Sequence, residues 1–180
     1  MKILAFTGMP CSGKSVAVQI AKENKIPVVR IGDAVWEETQ NQGLALTDKN
    51  VGFVANDMRE KHGKDIWAKR TVEKIKSNVK DDCVVIDGIR NSEEIDFFKK
   101  ELGNKFIVIA ILASDKTRKK RVLARKREDD SSDVKDLEER DKRELGWGLG
   151  KVIKYADIEI VNEGNMDEFH EAIREVFRVI

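Results

Sequence analysis

Five short runs rich in Val and Ile, at residues 3–7, 27–31, 83–87, 106–112 and 158–161, alternate with longer amphipathic stretches, and none of the five carries a polar face. Strands of that kind must be covered on both sides, so the pattern predicts an α/β domain built on a mostly parallel sheet with helical crossovers. Residues 12–24 continue from the first run as a helix, 92–102 opens with acidic side chains, and Asn165-Met166-Asp167-Glu168 has the form of a capping box at the start of the last helix. The second and third runs lie too far apart for one crossover. Three helices are expected between them, at 33–42, 47–62 and 64–79, punctuated by Gly43 and Gly63. The domain at 1–180 thus carries a helical insertion at about 33–80. A second inserted segment is expected at about 127–150, where Glu128-Asp129-Asp130 leads into a mixed-charge helix and then Gly146-Trp147-Gly148-Leu149-Gly150, a hinge-like sequence.

Gly8-Met9-Pro10-Cys11-Ser12-Gly13-Lys14-Ser15 matches G-x-x-x-x-G-K-[ST] and sits between the first strand and the first helix, where such a loop must sit to work. Glycines let successive backbone N–H groups curl around an anion, and the helix N-terminus adds free donors and a favourable dipole. Gly8, Pro10, Cys11, Ser12, Gly13, Lys14, Ser15 and Val16 are therefore the expected phosphate-binding residues, with Lys14 reaching the β- and γ-phosphates of a nucleotide and the Ser15 hydroxyl joining a Mg²⁺ shell. Cys11 invites a redox role, because a thiol at a helix N-terminus can have a lowered pKa. No resolving thiol accompanies it, and a small residue that fits the loop is the plainer reading.

Charge is otherwise balanced: 34 basic residues against 33 acidic ones give a net charge of +1, so no global field draws the chain to nucleic acid or an anionic membrane. Two cysteines supply neither a disulfide framework nor a structural zinc site, and they suit a reducing, cytoplasmic setting. The apolar runs are far too short for a membrane span, and the first six residues do not resemble a secretory leader.

Asp87 ends the third strand, where ligands of open α/β sheets bind, and is suited to orient Mg²⁺ through water or to hold an attacking hydroxyl. Arg90 follows in the same loop and can fork onto an acceptor phosphate. Asp33, just past the second strand, is either a helix N-cap or an acceptor contact. Arg59, Lys61, His62 and Arg70 are the basic groups of the first insertion, Arg59 being the chosen candidate for an acceptor phosphate. The run 116–127 is intensely basic; Arg118, Arg121 and Arg125 share one helical face and either converge on nucleotide phosphates or belong to a solvated or nucleic-acid-binding stripe. No aromatic platform is interleaved with these charges, which disfavours single-strand binding. Arg140 and Arg143 either close onto phosphates or pair with Glu138, Glu139, Asp141 and Glu144. The three tryptophans are expected to be packing residues, with Trp147 the most exposed.

Together the phosphate loop, Gly32-Asp33, Asp87-Gly88-Ile89-Arg90, the arginine-bearing second insertion and Asn162-Glu163-Gly164 resemble the nucleoside monophosphate kinase group of P-loop enzymes, adenylate kinase and dephospho-CoA kinase among them. More narrowly the chain looks like a mostly archaeal, adenylate-kinase-related family. That resemblance implies a P-loop NTPase three-layer sandwich with a five-stranded parallel sheet of order 2-3-1-4-5, an acceptor-binding insertion after strand two and a lid over the donor. It further implies donor phosphates and Mg²⁺ at Lys14 and Ser15, the acceptor phosphate at Arg90, the transferring group at Arg121 and Arg125, and adenine near Asn162 to Gly164. Ile89 stands where adenylate kinases carry a Phe-Pro pair, and the lid has no cysteine quartet. The expected activity is transfer of the γ-phosphoryl of Mg-ATP to a nucleotide-like small molecule. A regulatory ATP-binding switch and an RNA-linked kinase or ATPase are the alternatives; the chain has no Asn-Lys-x-Asp element of the kind that reads guanine.

Overall fold

Within the first strand, Ile3 and Ala5 join one buried cluster and Leu4 and Phe6 another, so both faces of the sheet are covered there and polar residues stand only at the strand's ends. The computed structural model describes residues 1–103, 105–124 and 134–179; Arg125, Arg127 and Glu128-Asp129-Asp130, named above, lie outside them. Elements run β1 (Lys2–Thr7), α1 (Lys14–Glu23), β2 (Val28–Arg30), α2 (Ile31–Asn41), α3 (Asp48–His62), α4 (Ile66–Asn78), β3 (Cys83–Asp87), α5 (Ser92–Leu102), β4 (Phe106–Leu112), α6 (Asp115–Ala124), α7 (Val134–Gly146), α8 (Leu149–Lys154), β5 (Ile158–Val161) and α9 (Met166–Val179). All strand pairs are parallel and their order is β2-β3-β1-β4-β5. On one face Ile3, Ala5, Val84, Ile86 and Val108 pack against α2 to α5 through residues such as Val54, Trp67, Val72 and Phe98. On the other, Leu4, Phe6, Val85, Ile109 and Ile111 meet Ala17 and Ile20 of α1 and Phe169 and Ile173 of α9. The result is a three-layer sandwich.

Local signals set the helix starts. Thr47 accepts from the Asn50 N–H, Asn91 accepts from Glu94 at 2.7 Å, and Asn165 accepts from Glu168 at 2.8 Å, each side chain satisfying a donor that the first helical turn leaves free. The insertion between β2 and β3 contains the three expected helices, but α2 begins at Ile31 rather than Asp33. Ile31 is fully buried and the extended Arg30 caps the helix, so Gly32 and Asp33 stand in the first turn instead of a loop. The glycine-rich segment is a corner rather than a loose hinge: Gly146 ends α7, Gly148 takes the left-handed conformation at φ 110°, and Gly150 is already inside α8. No helix among the described residues is long and apolar enough to cross a membrane.

Candidate phosphate-binding and transfer site

Parallel register brings the site together. Phe6 of β1 and Arg30 of β2 both align with Asp87 of β3, so the start of the phosphate loop, Arg30 and Asp87 emerge side by side at the carboxyl edge of the sheet. The connection from β1 leads to β2 and β3 on one side, while β4 and β5 lie on the other, which makes β1 the switch point where a crevice opens.

The loop itself is held in a shape that only its own residues tolerate. Gly8 and Gly13 have φ of 143° and 117°, and Cys11, at φ 62°, is also left-handed. A Cβ on Gly8 would lie 2.4 Å from the Ile111 carbonyl oxygen, and one on Gly13 would lie 2.3 Å from Asn162 Nδ2 with the Phe169 ring just behind. Gly13→Ala should therefore cost about 1–3 kcal/mol in backbone strain before any collision is counted, seen as a lowered melting temperature and weakened ATP binding in a titration.

Three side chains brace the loop from behind. Arg121 donates to the carbonyl oxygens of Cys11, Ser12 and Asn162 at 3.3, 3.0 and 2.9 Å, and Asn162 Nδ2 donates to Ser12 O at 2.7 Å. Arg118, 5% exposed, donates to Pro10 O and pairs with Asp115 and with Asp141 of α7. The carbonyls of Pro10, Cys11 and Ser12 are turned to these donors, and Ser12 N–H closes the loop onto Met9 O at 3.1 Å. Neither Arg118 nor Arg121 lines the cavity in front of the loop. The described part of that helix face turns onto the loop backbone rather than into the cavity; Lys116 and Lys120 are the exposed lysines of the described part of the run, while Lys119 pairs with Asp115 and Glu138. Val16 packs into the core beneath the loop, and Gly164 abuts Glu168 beyond Asn162.

In front of the loop is a cavity of about 450 Å³ lined by Pro10, Cys11, Gly13, Lys14, Ser15, Arg30, Asp87, Arg90 and Arg140 among others. A second, of about 320 Å³, opens between the insertion and α7, lined by Val35, Trp36, Leu46, Val51, Arg59, Arg143, Glu144 and Trp147. Arg30, Gly32, Arg90 and Arg140 line both. Asp33 lines neither and lies half-exposed, 3.8 Å from Arg30. Arg59 is not a solvated cation: it is 8% exposed, paired with the fully buried Glu94 at 3.1 Å, and stacked 4.3 Å from the Trp147 ring centroid. The tryptophans depart from expectation. Trp36 is the exposed one at 43%, while Trp147 is wedged among Arg59, Arg90 and Arg143 and donates its indole N–H to Asn56. Cations stacked on the indole face hold it in place across the seam between α3 and α7.

Charges in the junction are strongly coupled. Lys14 donates to the carbonyls of Gly8 and Met9, the latter at 3.1 Å. Burial lowers its pKa to about 8, although Glu144 and Asp87 pull the other way. Glu144 would be raised by burial, but Arg90, Arg140 and Lys14 bring it down to about 2. Arg90 loses solvation too, yet Glu144 and Glu94 hold its pKa above the ordinary value. Because the free protein binds fewer protons at Lys14 than an ordinary lysine does, a triphosphate that needs the ammonium will bind with proton uptake above about pH 8. ATP affinity should be flat with respect to Lys14 below that pH and fall as pH rises through it, a trend calorimetric titrations at several pH values will show.

Asp87 Oδ1 is buried without a hydrogen-bond partner among the described residues, and it shares the first cavity with the exposed Ser15 hydroxyl. No cluster of three or more His, Cys, Asp or Glu side chains able to hold a metal occurs among the described residues. One hydroxyl and one carboxylate facing a phosphate site fit Mg²⁺, which keeps several waters and takes its remaining oxygens from the substrate.

A phosphate loop at the switch point of a 2-3-1-4-5 parallel sheet, with a helical insertion after β2, is the architecture of the P-loop kinase fold. The comparisons agree: residues 7–138 match the sequence model described as an AAA domain, and the structure superposes on TT1252 from Thermus thermophilus (18% identity, TM-score 0.64, 99% and 97% of the two chains) and on a gluconokinase from Sinorhizobium meliloti (16%, 0.58, 99% and 93%). At those identities the likeness concerns the fold alone. The chain belongs to the UPF0200 family: it is 42% identical to the Methanosarcina barkeri UPF0200 protein over 98% of this chain and 94% of that one. A UPF0200/UPF0201 protein of Archaeoglobus fulgidus is 46% identical over 98% of this chain, which spans 55% of that relative's length.

Sequence reasoning passed over Arg30, and gave Glu144 only as a partner for lid arginines and Trp147 only as packing. Arg30 ends a three-residue strand, and nothing short of the β2–β3 register reveals that it stands beside Asp87, 3.5 Å away. Proximity of Trp147 to Arg59 likewise depends on how α7 meets α3.

Proposed function

We propose that this protein is a Mg²⁺- and ATP-dependent phosphotransferase that passes the γ-phosphoryl group to a small, phosphate-bearing, nucleotide-like acceptor. One observation carries the reading: the cavity before the phosphate loop and the cavity under the insertion meet at Arg30, Arg90 and Arg140. In this reading the loop N–H groups and Lys14 hold the donor phosphates, and Arg90 with Arg140 takes the acceptor phosphate. Trp36, Leu46 and Val51 give the second cavity an apolar wall for a base or similar ring. An acceptor oxygen attacks the γ-phosphorus in line while the bond to the β-bridging oxygen breaks; the reaction needs placement and neutralised charge more than covalent help, which is what lysine and arginines supply. Asp87 either accepts the proton of an attacking hydroxyl or orients the hydrated cation. Bound Mg²⁺ would neutralise charge between the β- and γ-phosphates.

The test is direct. Mg-ATP labelled at the γ-position is incubated with AMP, CMP, UMP, dephospho-CoA and short RNA in parallel. Label appearing on one of the small molecules supports the proposal. Label on RNA alone would make it an RNA-linked kinase, and tight ATP binding with no transfer to any acceptor would favour a switch.

A further inference from the structure

Arg90 and Arg140, the two arginines assigned above to an acceptor phosphate, share one carboxylate. Glu144 of α7 is 3% exposed, with Oε2 3.2 Å from Arg90 Nε and Oε1 2.9 Å from Arg140 Nε. Of the other cations lining the second cavity, Arg59 pairs with Glu94, which lines neither cavity, Arg143 with Asp48 in the cavity wall, and Arg30 with Asp33 and Asp87. Glu144 is the carboxylate shared by two arginines that both line both cavities, and it lines the second itself, so this counter-charge lies where a ligand's anionic group must come.

We propose that Glu144 is the specificity-determining residue of the acceptor site, an internal carboxylate that occupies the arginine pair until a dianionic phosphate displaces it. The inference rests on the acceptor role proposed for that cavity. Its logic is one of charge. A carboxylate already satisfies the two guanidiniums as well as another monoanion could, so a carboxylic acid or a neutral polyol gains nothing by exchanging with it. A phosphate monoester brings two negative charges and three acceptor oxygens, enough to fork onto both guanidiniums at once. Glu144 thereby selects phosphate-bearing acceptors over hydroxy acids and sugars, and it offsets one of the pair's two positive charges while the site is empty, so that the largely buried Arg90 is never left without an anion.

The probe is inorganic phosphate, with acetate as the monoanionic control, at mildly alkaline pH where phosphate is mostly dianionic. Binding is followed by calorimetry and by the rise in melting temperature. Glu144→Gln should bind phosphate at least about tenfold more tightly than the wild type, since a like charge at contact distance has been removed, with acetate gaining much less. Phosphate should also raise the melting temperature of the variant more than that of the wild type. Because phosphate can also enter the phosphate loop, the gain must disappear when Arg90→Ala is added. Unchanged or weaker phosphate binding by a folded Glu144→Gln, or a gain that survives Arg90→Ala, overturns the proposal and makes Glu144 a brace for the arginines. Should the glutamine variant not fold, Glu144→Asp withdraws the carboxylate while keeping its charge: tighter phosphate binding supports displacement, and none refutes it. These readouts need no turnover, so they stand or fall separately from the transfer assay.

Discussion

Lys14→Ala is expected to lower phosphoryl transfer by at least ~100-fold, the scale of removing one strong electrostatic donor from a transferring group. Its ammonium is the one side-chain cation placed within the loop, where it spans the carbonyls of Gly8 and Met9. In the free protein that charge is poorly solvated, which is why its pKa falls to about 8. A triphosphate restores the missing partner, so much of the lysine's contribution is available only when phosphate is present. Removing the lysine should accordingly leave the melting temperature of the free protein unchanged or raised while ATP affinity and turnover both fall. Quench-flow or steady-state assays with a thermal melt on the same samples will separate these effects; full turnover in the alanine variant would remove the loop from the reaction.

Arg90→Ala should act on the other substrate. Arg90 is 17% exposed at its side chain, donates to the Gly88 carbonyl at 3.0 Å, and pairs through Nε with Glu144 at 3.2 Å. Loss of a charge-assisted contact to the acceptor phosphate predicts a fall of about 100-fold in kcat/KM for the acceptor, with ATP affinity changed by less than about threefold. Stability will drop as well, because Glu144 keeps only Arg140 and the Trp147 face loses one of its three guanidiniums. Comparing acceptor KM with ATP affinity at a temperature well below the variant's melting point isolates the functional term. Equal loss for both substrates would mean that Arg90 merely supports the junction.

Much of this architecture was legible before any coordinates. The Val/Ile runs lacked polar alternation because helices cover both faces of the sheet's central strands, and all five became strands within a residue or two of their expected bounds. Gly8 to Ser15 announced a loop whose left-handed residues and crowded Cα positions leave no alternative to glycine at its two ends. Asn165 and Asn91 marked helix starts through hydrogen bonds that reach only three residues along the chain. Features of this kind are local, and local chemistry survives in a one-dimensional string.

Contacts across long separations did not. Whether Arg118 and Arg121 faced phosphate or the loop's own carbonyls depended on where α6 docks, which joins residues about a hundred positions apart. Arg59 was the acceptor-phosphate candidate of the first insertion, and only the approach of Glu94 and Trp147 to α3 shows it buried in an ion pair. Spacing and residue type alone determined the sheet's character, the phosphate loop and the three helices between the second and third strands, because each is written in neighbouring residues. Tertiary structure decided which arginines meet at one junction, which carboxylate they share and which tryptophan seals the seam, because charges on separate helices acquire partners only when the chain has folded back on itself.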